Sequence, residues 1–373
     1  MKIGIDARMM TSGSGIGRYV TQLILNLEKL DHDNEYVIFL TKKNWDDFNF
    51  THGNFKKVLA DLPWYSVKEQ LFMPRIIARE SIDLMHFPHF NVPVLYDKPF
   101  VVTIHDLIMF HHPRPEATTR GKIIFKIKDM AHRFIIRHTV QKARHIMVTT
   151  QFTKLDVSKT LGVSQEKMSV IYQAPFVQDE WAQTDKMVLE KYGINKEYIM
   201  YVGAAYPHKN LLRLLTAWKL FQQKYDGKFQ LVLVGKKDYF YTRLLNSAEF
   251  NTCTNIIYTG FVQDDELASL YSWSSLYVFP SLYEGFGLPP LEAMHFNIPV
   301  VSSSETCLPE VLGDAALYFD AYNPEHMCDV IKVVLDDTET QMILIQNGRA
   351  RLKELSSRDF AQKTCEIYMH ALQ

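Results

Sequence analysis

Residues 279–294 read FPSLYEGFGLPPLEAM, which places two carboxylates, Glu284 and Glu292, eight positions apart. The run from Leu276 to Ser281 is apolar and aromatic, as in a buried parallel strand, so Glu284 is expected just beyond a strand end. The glycines that follow it let the backbone approach a ligand closely, and the two prolines suit the first turn of a helix. The segment predicts a strand, a glycine turn and a helix in succession.

The start of this helix is a candidate anion site. Its free N–H groups and the positive end of its dipole favour a diphosphate. The two carboxylates would flank that anion and accept hydrogen bonds from vicinal hydroxyls, Glu284 from a sugar ring and Glu292 from a ribose. In the structural alternative, one glutamate stabilises a helix start and the other lies on a solvated face. The pattern alone leaves both interpretations open.

The rest of the chain alternates strands and helices. At 373 residues it is too long for one ordinary core. A polar stretch at residues 178–191 separates two series of strands, which predicts two doubly wound, Rossmann-like α/β domains facing a cleft, 1–178 and 179–373. A first helix is predicted over Arg18–Leu30, and the last helix is expected to be able to pack back on the first domain. The predicted strands are Lys2–Asp6, Glu35–Thr41, Asp83–Phe87, Phe100–Ile104, His145–Thr149, Met168–Tyr172, Tyr198–Gly203, Phe229–Gly235, Asn255–Gly260, Leu276–Pro280, Pro299–Ser303 and Ala316–Phe319.

The composition is that of a folded soluble protein, with 47% hydrophobic and 22% charged residues. There is no apolar run of about 18 residues, and the chain begins directly with a strand pattern, so we expect neither a membrane span nor a signal peptide. A cytoplasmic location follows as an expectation. The four cysteines lack paired spacing and are expected to be thiols without a role.

Two further segments follow predicted strand ends. Residues 12–19 read SGSGIGRY, a glycine loop that opens the first helix. Its backbone can approach a phosphate, or it can simply form a tight turn, and its glycine spacing is not that of the dinucleotide fingerprint. His105 ends a strand immediately before Asp106 and is expected to point into the cleft between the domains. A lone histidine is more often structural.

These segments resemble the retaining glycosyltransferases of family four, which have the two-domain GT-B fold. The resemblance covers nearly the whole chain and is most specific at Glu284 and Glu292, whose spacing and following Gly-Phe-Gly match the family. Residues 201–211, YVGAAYPHKNL, are similar to the family's Pro-Arg-Lys-Asn-Leu loop. Ala204 stands where many members have an arginine that contacts the diphosphate, and His208 replaces the loop arginine. Lys209 is retained and can neutralise a leaving diphosphate.

The resemblance also implies roles for individual residues. His105, Glu284 and Lys209 would be catalytic, with His105 hydrogen-bonded to the donor sugar, and Asp106 and Arg18 would lie on the acceptor side. The implied donor-binding residues are Gly15, Ile16, Gly17, Gly203, Lys209, Glu284, Gly285, Phe286, Gly287, Leu288 and Glu292.

No metal and no cofactor are expected, because the nucleotide sugar is a co-substrate. The one Asp-x-Asp string, Asp31-His32-Asp33, follows a helix end and is typical of a turn rather than a metal site.

Residues 119–144 form a basic, amphipathic pattern. Eight basic residues accompany a single acid, Asp129, with apolar residues between them. Such a helix can lie on an anionic membrane, which would make the protein peripheral at the inner face of the cytoplasmic membrane. An ordinary half-buried helix with a solvated basic face explains the pattern equally well. No nucleic-acid motif accompanies it, so nucleic acid is not an expected partner.

The resulting functional hypothesis is a metal-independent, retaining hexosyltransferase. It would move mannose from GDP-mannose to a glycan or lipid-linked saccharide during surface polysaccharide synthesis. UDP-glucose, UDP-N-acetylglucosamine and dTDP-rhamnose are alternative donors, and an inactive sugar-nucleotide-binding scaffold is the non-catalytic alternative. A glycoside hydrolase using the two glutamates fits poorly, because its carboxyls must flank one bond. An NAD-dependent enzyme is also a poor fit, because this chain lacks the glycine fingerprint of dinucleotide-binding domains.

Overall fold

A computed structural model of the chain describes residues 1–9, 15–117, 122–175, 184–225 and 227–372. The chain forms two compact units. Unit 1 comprises Met1–His111, Thr118–Ala174 and Leu355–Gln373, and unit 2 comprises His112–Ala117 and Pro175–Glu354. The predicted boundary at residues 178 and 179 lies outside the described residues.

Unit 1 is built on a seven-stranded parallel sheet with the strand order β3-β2-β1-β4-β5-β6-β7. The order reverses between β1 and β4, which defines a doubly wound sheet whose ligand sites lie at the carboxyl ends of these strands. The strands are β1 (Lys2–Asp6), β2 (Glu35–Leu40), β3 (Phe55–Leu59), β4 (Leu84–Phe87), β5 (Phe100–Ile104), β6 (His145–Val148) and β7 (Met168–Val170). Helices α1 (Gly15–Leu30), α2 (Val67–Ala78), α3 (Ile108–His111), α4 (Lys122–Lys142) and α5 (Gln151–Leu161) accompany them.

Strand β3 was not predicted from the sequence. It reads Phe-Lys-Lys-Val-Leu, and two adjacent lysines are not typical of a strand in a parallel sheet. The strand lies at the sheet edge, where Lys57 donates hydrogen bonds to the carbonyls of Trp45 and Phe48, both at 2.9 Å. An edge position and two carbonyl acceptors therefore accommodate a charge that an inner strand would exclude.

Unit 2 has a six-stranded parallel sheet with the order β10-β9-β8-β11-β12-β13, and all six strands match predicted ones. Its switch point lies between β8 and β11. The strands are β8 (Glu197–Val202), β9 (Phe229–Val234), β10 (Ile256–Gly260), β11 (Leu276–Phe279), β12 (Val300–Ser303) and β13 (Ala316–Phe319). The helices are α6 (Met187–Lys191), α7 (Leu211–Tyr225), α8 (Tyr239–Leu245), α9 (Ala248–Asn251), α10 (Asp264–Ser272), α11 (Leu288–His295), α12 (Leu308–Leu312), α13 (Pro324–Asp336) and α14 (Thr338–Glu354).

The last helix, α15 (Ser357–His370), belongs to unit 1 although it follows unit 2 in the chain. Its buried residues Phe360, Ala361 and Tyr368 share one apolar core with α1 and the central strands of the first sheet. The range 179–373 predicted for the second domain is therefore too long at its C-terminal end. The last helix packs on the first domain, as the sequence analysis had considered.

Within the described residues, no helix has the length and apolar composition needed to cross a membrane.

Candidate active site

The candidate donor site of unit 2 lies at the switch point of its sheet. Strand β8 ends at Val202 and is followed by Gly203, and the neighbouring β11 ends at Phe279 and leads into the loop that carries Glu284. Helix α11 then begins at Leu288, with prolines in its first turn as the sequence predicts. Residues 203–210, which carry Lys209, form the lysine loop after β8, and residues 280–287, which carry Glu284, form the glutamate loop after β11. The two loops therefore begin at the same edge of adjacent strands, where doubly wound sheets bind ligands.

Lys209 and Glu284 form an ion pair. Lys209 Nζ lies 2.5 Å from Glu284 Oε1, and the two side chains are only 18% and 10% exposed. The lysine sits in a short 3-10 turn, Pro207–Lys209, that ends at Asn210 in the left-handed conformation. The Asn210 side chain donates to the carbonyls of Pro280 and Ala321, at 3.0 and 2.7 Å, and so fixes the turn against the glutamate loop.

The loop that carries Glu284 is held by hydrogen bonds on both sides of the carboxylate. The Glu284 N–H donates to Thr306 Oγ1 at 3.1 Å, and the Leu282 N–H donates to the His208 carbonyl at 2.7 Å. Gly287 has a φ of 91°, and a Cβ there would lie 2.9 Å from the Leu308 side chain. The φ of Gly287 therefore favours glycine, and an added Cβ would in addition displace the end of the Leu308 side chain. The close approach of this backbone to a ligand stays a prediction.

Glu292 is deeply buried on α11, at 1% exposure. Its Oε2 accepts a hydrogen bond from the hydroxyl of Tyr271 at 3.2 Å. Both Glu292 and Glu284 are close enough to Tyr277 to contribute to its raised pKa, for which burial is the main cause. The two glutamates therefore act on one electrostatic neighbourhood rather than on unrelated surfaces.

Tyrosine hydroxyls fix the Gly203 loop, a feature that the sequence analysis missed. Tyr241 donates to the Gly203 carbonyl and Tyr201 donates to the Ala204 carbonyl, both at 2.9 Å. A Cβ at Gly235 would lie 2.2 Å from the Gly203 carbonyl oxygen, so the loops after β8 and β9 are in direct backbone contact. Tyr201 lies in strand β8 and Tyr241 in helix α8, and in the sequence both have the pattern of ordinary core residues.

His208 is an uncharged part of the lysine loop. It is 2% exposed, and burial, followed by the charges of Lys209 and Arg114, lowers its pKa to about 2. Its Nδ1 has no hydrogen-bond partner among the described residues. Where the family resemblance implies an arginine, this chain therefore has a neutral imidazole.

The remaining residues predicted for the donor site lie in the glutamate loop or in unit 1. Gly285, Phe286 and Leu288 belong to the segment between Glu284 and Glu292, and the carbonyl of Phe286 lies 3.5 Å from the thiol of Cys307. Gly15, Ile16, Gly17 and Arg18 form the first turn of α1 in unit 1. An added Cβ at Gly15 would meet no described atom within 4 Å. Residues 12–14 of the predicted glycine loop lie outside the described residues.

His105 lies just after β5, as predicted, but both its ring nitrogens contact groups of unit 1. Nε2 donates to the Pro88 carbonyl at 2.8 Å, and Nδ1 lies 3.2 Å from the side-chain amide nitrogen of Gln173. Burial lowers the His105 pKa to about 4, so the ring is neutral. A hydrogen bond from this ring to a sugar would have to replace one of these contacts, and the catalytic role of His105 stays a prediction.

Asp106 and His86 have structural contacts. Asp106 Oδ1 accepts from the N–H of Ile108 at 2.9 Å, at the start of α3, and its acceptor-side role stays a prediction. His86 is fully buried between the hydroxyls of Tyr368 and Thr103, at 2.6 and 2.9 Å. His86 lies in β4, and the sequence alone does not decide between a functional and a structural role for it; these contacts support the structural role.

Comparisons with known proteins agree with this architecture. The family described as Glycosyltransferase Family 4 matches residues 13–174, and Glycosyl transferases group 1 matches residues 188–351. O-antigen chain mannosyltransferase B of Escherichia coli is 28% identical over 95% of this chain and 96% of its own length. O-antigen chain mannosyltransferase RfbU of Salmonella typhimurium is 27% identical over 87% of this chain and 88% of its own.

Among solved structures, sucrose-phosphate synthase from Thermosynechococcus elongatus superposes with a TM-score of 0.74. The superposition covers 99% of this chain and 98% of the other, at 17% sequence identity, and therefore supports the fold alone. Two doubly wound parallel sheets, the paired glutamates and the family matches lead to one assignment: the chain is a glycosyltransferase of family 4 with the GT-B fold.

Proposed function

We propose that this glycosyltransferase transfers mannose from GDP-mannose to a saccharide or lipid-linked saccharide acceptor in surface polysaccharide synthesis. Two relatives that match most of the chain are named as O-antigen mannosyltransferases, which supports the sugar and the pathway class. The observation that carries the catalytic part of the proposal is the Lys209 and Glu284 pair at the carboxyl ends of β8 and β11.

The proposed chemistry is a substitution at the anomeric carbon with retention of configuration. The bond between C1 of the sugar and the diphosphate oxygen breaks, and the acceptor oxygen forms a bond to C1 from the same face. The acceptor proton passes to the departing phosphate oxygen, so atoms and charge balance. The protein contributes positioning and charge stabilisation.

Each residue of the pair has a distinct part in this proposal. Lys209 neutralises the diphosphate as it leaves, and Glu284 accepts hydrogen bonds from sugar hydroxyls. The positive end of the α11 dipole and the N–H of Leu288 favour the same anion, whereas Pro289 and Pro290 have no N–H to donate. Glu292, buried beneath Tyr271, is suited to accept hydrogen bonds rather than to attack or protonate a sugar. That environment argues against the glycoside hydrolase alternative.

We further propose that the reaction needs no metal ion and no cofactor. The Asp31 carboxylate of the Asp-x-Asp string accepts hydrogen bonds from the side chains of Asn34 and Tyr36, both at 2.7 Å, as in a structural turn. Activity measured after dialysis against EDTA should equal activity with added Mg²⁺ or Mn²⁺. A loss of activity that Mg²⁺ or Mn²⁺ restores would contradict the proposal.

The direct test is release of nucleoside diphosphate from four donors, with and without octyl α-mannoside as acceptor. GDP-mannose should be turned over, and UDP-glucose, UDP-N-acetylglucosamine and dTDP-rhamnose should not. Glu284→Ala and Lys209→Ala should each reduce turnover by at least ~10²-fold, the scale of one lost transition-state contact. Lys224→Ala is the matched control, because Lys224 forms an exposed pair with Asp329 at 2.9 Å in the same unit.

Three outcomes would contradict parts of this proposal. Turnover of another donor in place of GDP-mannose would contradict mannose as the transferred sugar. An anomeric proton signal of inverted configuration in the product would exclude retention. Donor binding without turnover of any of the four would favour the non-catalytic scaffold.

We also propose that α4 docks unit 1 on an anionic membrane. Four apolar side chains at spacings of four, three and four residues are strongly exposed along this helix: Ile123, Ile127, Met130 and Phe134, between 60% and 76%. Exposed basic residues accompany the stripe, namely Lys126, Lys128, Arg137 and Lys142. Apolar insertion beside basic side chains is the arrangement that binds anionic lipid surfaces.

Co-sedimentation with vesicles tests the docking of α4. Wild-type protein should sediment with vesicles containing phosphatidylglycerol and not with pure phosphatidylcholine, and the triple variant Lys126→Glu, Lys128→Glu, Arg137→Glu should not sediment. A control with the same charge change, Lys219→Glu, Lys353→Glu, Lys363→Glu, should behave as wild type, because these exposed lysines lie on other helices. Arg133 is unsuitable for this test since it pairs with Asp129 at 2.7 Å. Equal sedimentation of both variants would refute the docking.

A further inference from the structure

The lysine loop of unit 2 has little net positive charge for its proposed ligand. The charge of Lys209 is balanced by Glu284 at 2.5 Å, and the imidazole of His208 is neutral. Ala204, two residues after β8, carries no charge. A nucleoside diphosphate brings at least two negative charges to this place, so a further cation beside the loop would strengthen its binding.

A short segment brings such a cation to the loop. Residues His112–Ala117 belong to unit 2 although the chain on either side of them belongs to unit 1. Within this segment, the Arg114 guanidinium carbon lies 4.0 Å from the centre of the Tyr206 ring. Tyr206 directly precedes the turn that carries Lys209. A guanidinium stacked on an aromatic face keeps its N–H donors at the ring edge, where they remain suited to oxyanions.

His112 anchors the same segment, residues His112–Ala117, to the candidate site. The ring of His112 lies 5.9 Å from that of His208 and 5.6 Å from that of Tyr283, which precedes Glu284. The segment thus contacts both loops of the candidate site: the lysine loop through Tyr206 and His208, and the glutamate loop through Tyr283.

The local sequence makes the position of Arg114 rigid. Prolines at 113 and 115 flank it, and the residue before a proline is restricted to extended conformations. The arginine is therefore presented from a backbone with few alternative conformations, so less entropy is lost when it binds a ligand.

We propose that Arg114 binds the diphosphate of the donor and supplies the positive charge that Ala204 does not. This inference rests on the proposed function, because it assumes a nucleoside diphosphate at the lysine loop. An arginine fork can donate two parallel hydrogen bonds to a phosphate, a geometry that a lysine lacks. The Tyr206 ring acts as the platform that positions it.

Binding of GDP and of guanosine, each measured by isothermal titration, tests this assignment. Arg114→Ala should weaken GDP binding by about 10- to 100-fold, the scale of a charge-assisted contact, and leave guanosine binding within twofold. Arg114→Lys, which keeps the charge and the fold, should weaken GDP binding by a smaller factor. Tyr206→Phe should bind GDP as wild type does, whereas Tyr206→Ala should behave like Arg114→Ala. Arg75→Ala is the control, because Arg75 stacks on Phe72 in unit 1.

Two results would overturn the assignment. GDP binding within twofold of wild type in Arg114→Ala would show that the arginine does not contact the diphosphate. Equal losses for GDP and guanosine would show that Arg114 only maintains the loop. Failure of the wild-type protein to bind either GDP or UDP would instead refute the proposed function, which separates the two hypotheses.

Discussion

Acid should destabilise unit 1 through His86, and the structure allows the size of the effect to be worked out. The imidazole is fully buried, and burial, with a smaller contribution from His105, lowers its pKa from 6.5 to about 3. Between these two values the unfolded chain binds a proton at His86 and the folded chain does not. Stability is therefore complete above pH 6.5 and is lost as the pH falls towards 3.

Each pH unit in that window lowers the free energy of unfolding by about 1.4 kcal/mol per group. From pH 7.5 to pH 4.5 the contribution of His86 alone is about 2.7 kcal/mol, because the unfolded histidine is fully protonated two units below its pKa. His86→Gln removes this proton binding while keeping a donor and an acceptor for Tyr368 and Thr103. The variant should thus be less stable at pH 7.5 but lose about 2.7 kcal/mol less than wild type on acidification.

Native-state hydrogen exchange of β4 and β5, corrected for intrinsic rates at each pH, measures the free energy of unfolding within unit 1. This local readout is needed because a chain of two units is not expected to unfold in one step. The other buried histidines are present in both proteins, so their contributions cancel in the comparison. His370→Gln, at an exposed position on α15, should keep the wild-type pH dependence. Equal pH dependence of wild type and His86→Gln, within about 0.5 kcal/mol, would refute the reasoning.

Three further substitutions test other contacts. Gly235→Ala should lower stability by about 1–3 kcal/mol and abolish GDP binding, because its Cβ would lie 2.2 Å from the Gly203 carbonyl oxygen; thermal unfolding and titration measure both effects. Tyr241→Phe should lower stability by about 1 kcal/mol and raise the donor KM, since the Gly203 carbonyl loses its hydroxyl donor. Arg8→Met should lower the stability of unit 1 by about 3–5 kcal/mol in denaturant unfolding, because it leaves two buried carboxylates without their guanidinium; an unchanged midpoint would show that the cluster contributes nothing.

Periodicity and strand-end rules predicted most of the architecture, because they describe local physics. Parallel strands buried on both faces read as short apolar runs, and the strands of unit 2 were all found in this way. The turn around Gly287 and the proline start of α11 were equally readable, since each depends on backbone conformations that few residues adopt.

The features that the sequence could not supply are long-range. The assignment of α15 to unit 1 depends on its contact with α1, more than 300 positions earlier in the chain. The strand-end rule placed His105 correctly, but it could not foresee that Pro88 and Gln173 would contact the ring. The tyrosines that hold Gly203 resemble core residues until their hydroxyl partners are known. The decisive partner is helix α1 for α15, the residues Pro88 and Gln173 for His105, and Tyr241 of helix α8 for Gly203.

The ion pair between Lys209 and Glu284 gives the proposed mechanism a consequence for the unliganded protein. Side chains that are 18% and 10% exposed keep few water contacts, so each charge depends on the other for stabilisation. If the proposed function holds, donor binding replaces both partners of the ion pair at once. The diphosphate pairs with Lys209, and the sugar hydroxyls donate hydrogen bonds to the Glu284 carboxylate. A nucleoside diphosphate without its sugar satisfies only the lysine and leaves Glu284 partly unpaired. The intact donor should therefore bind more tightly than the nucleoside diphosphate product, because only the sugar of the donor supplies hydrogen-bond donors to Glu284.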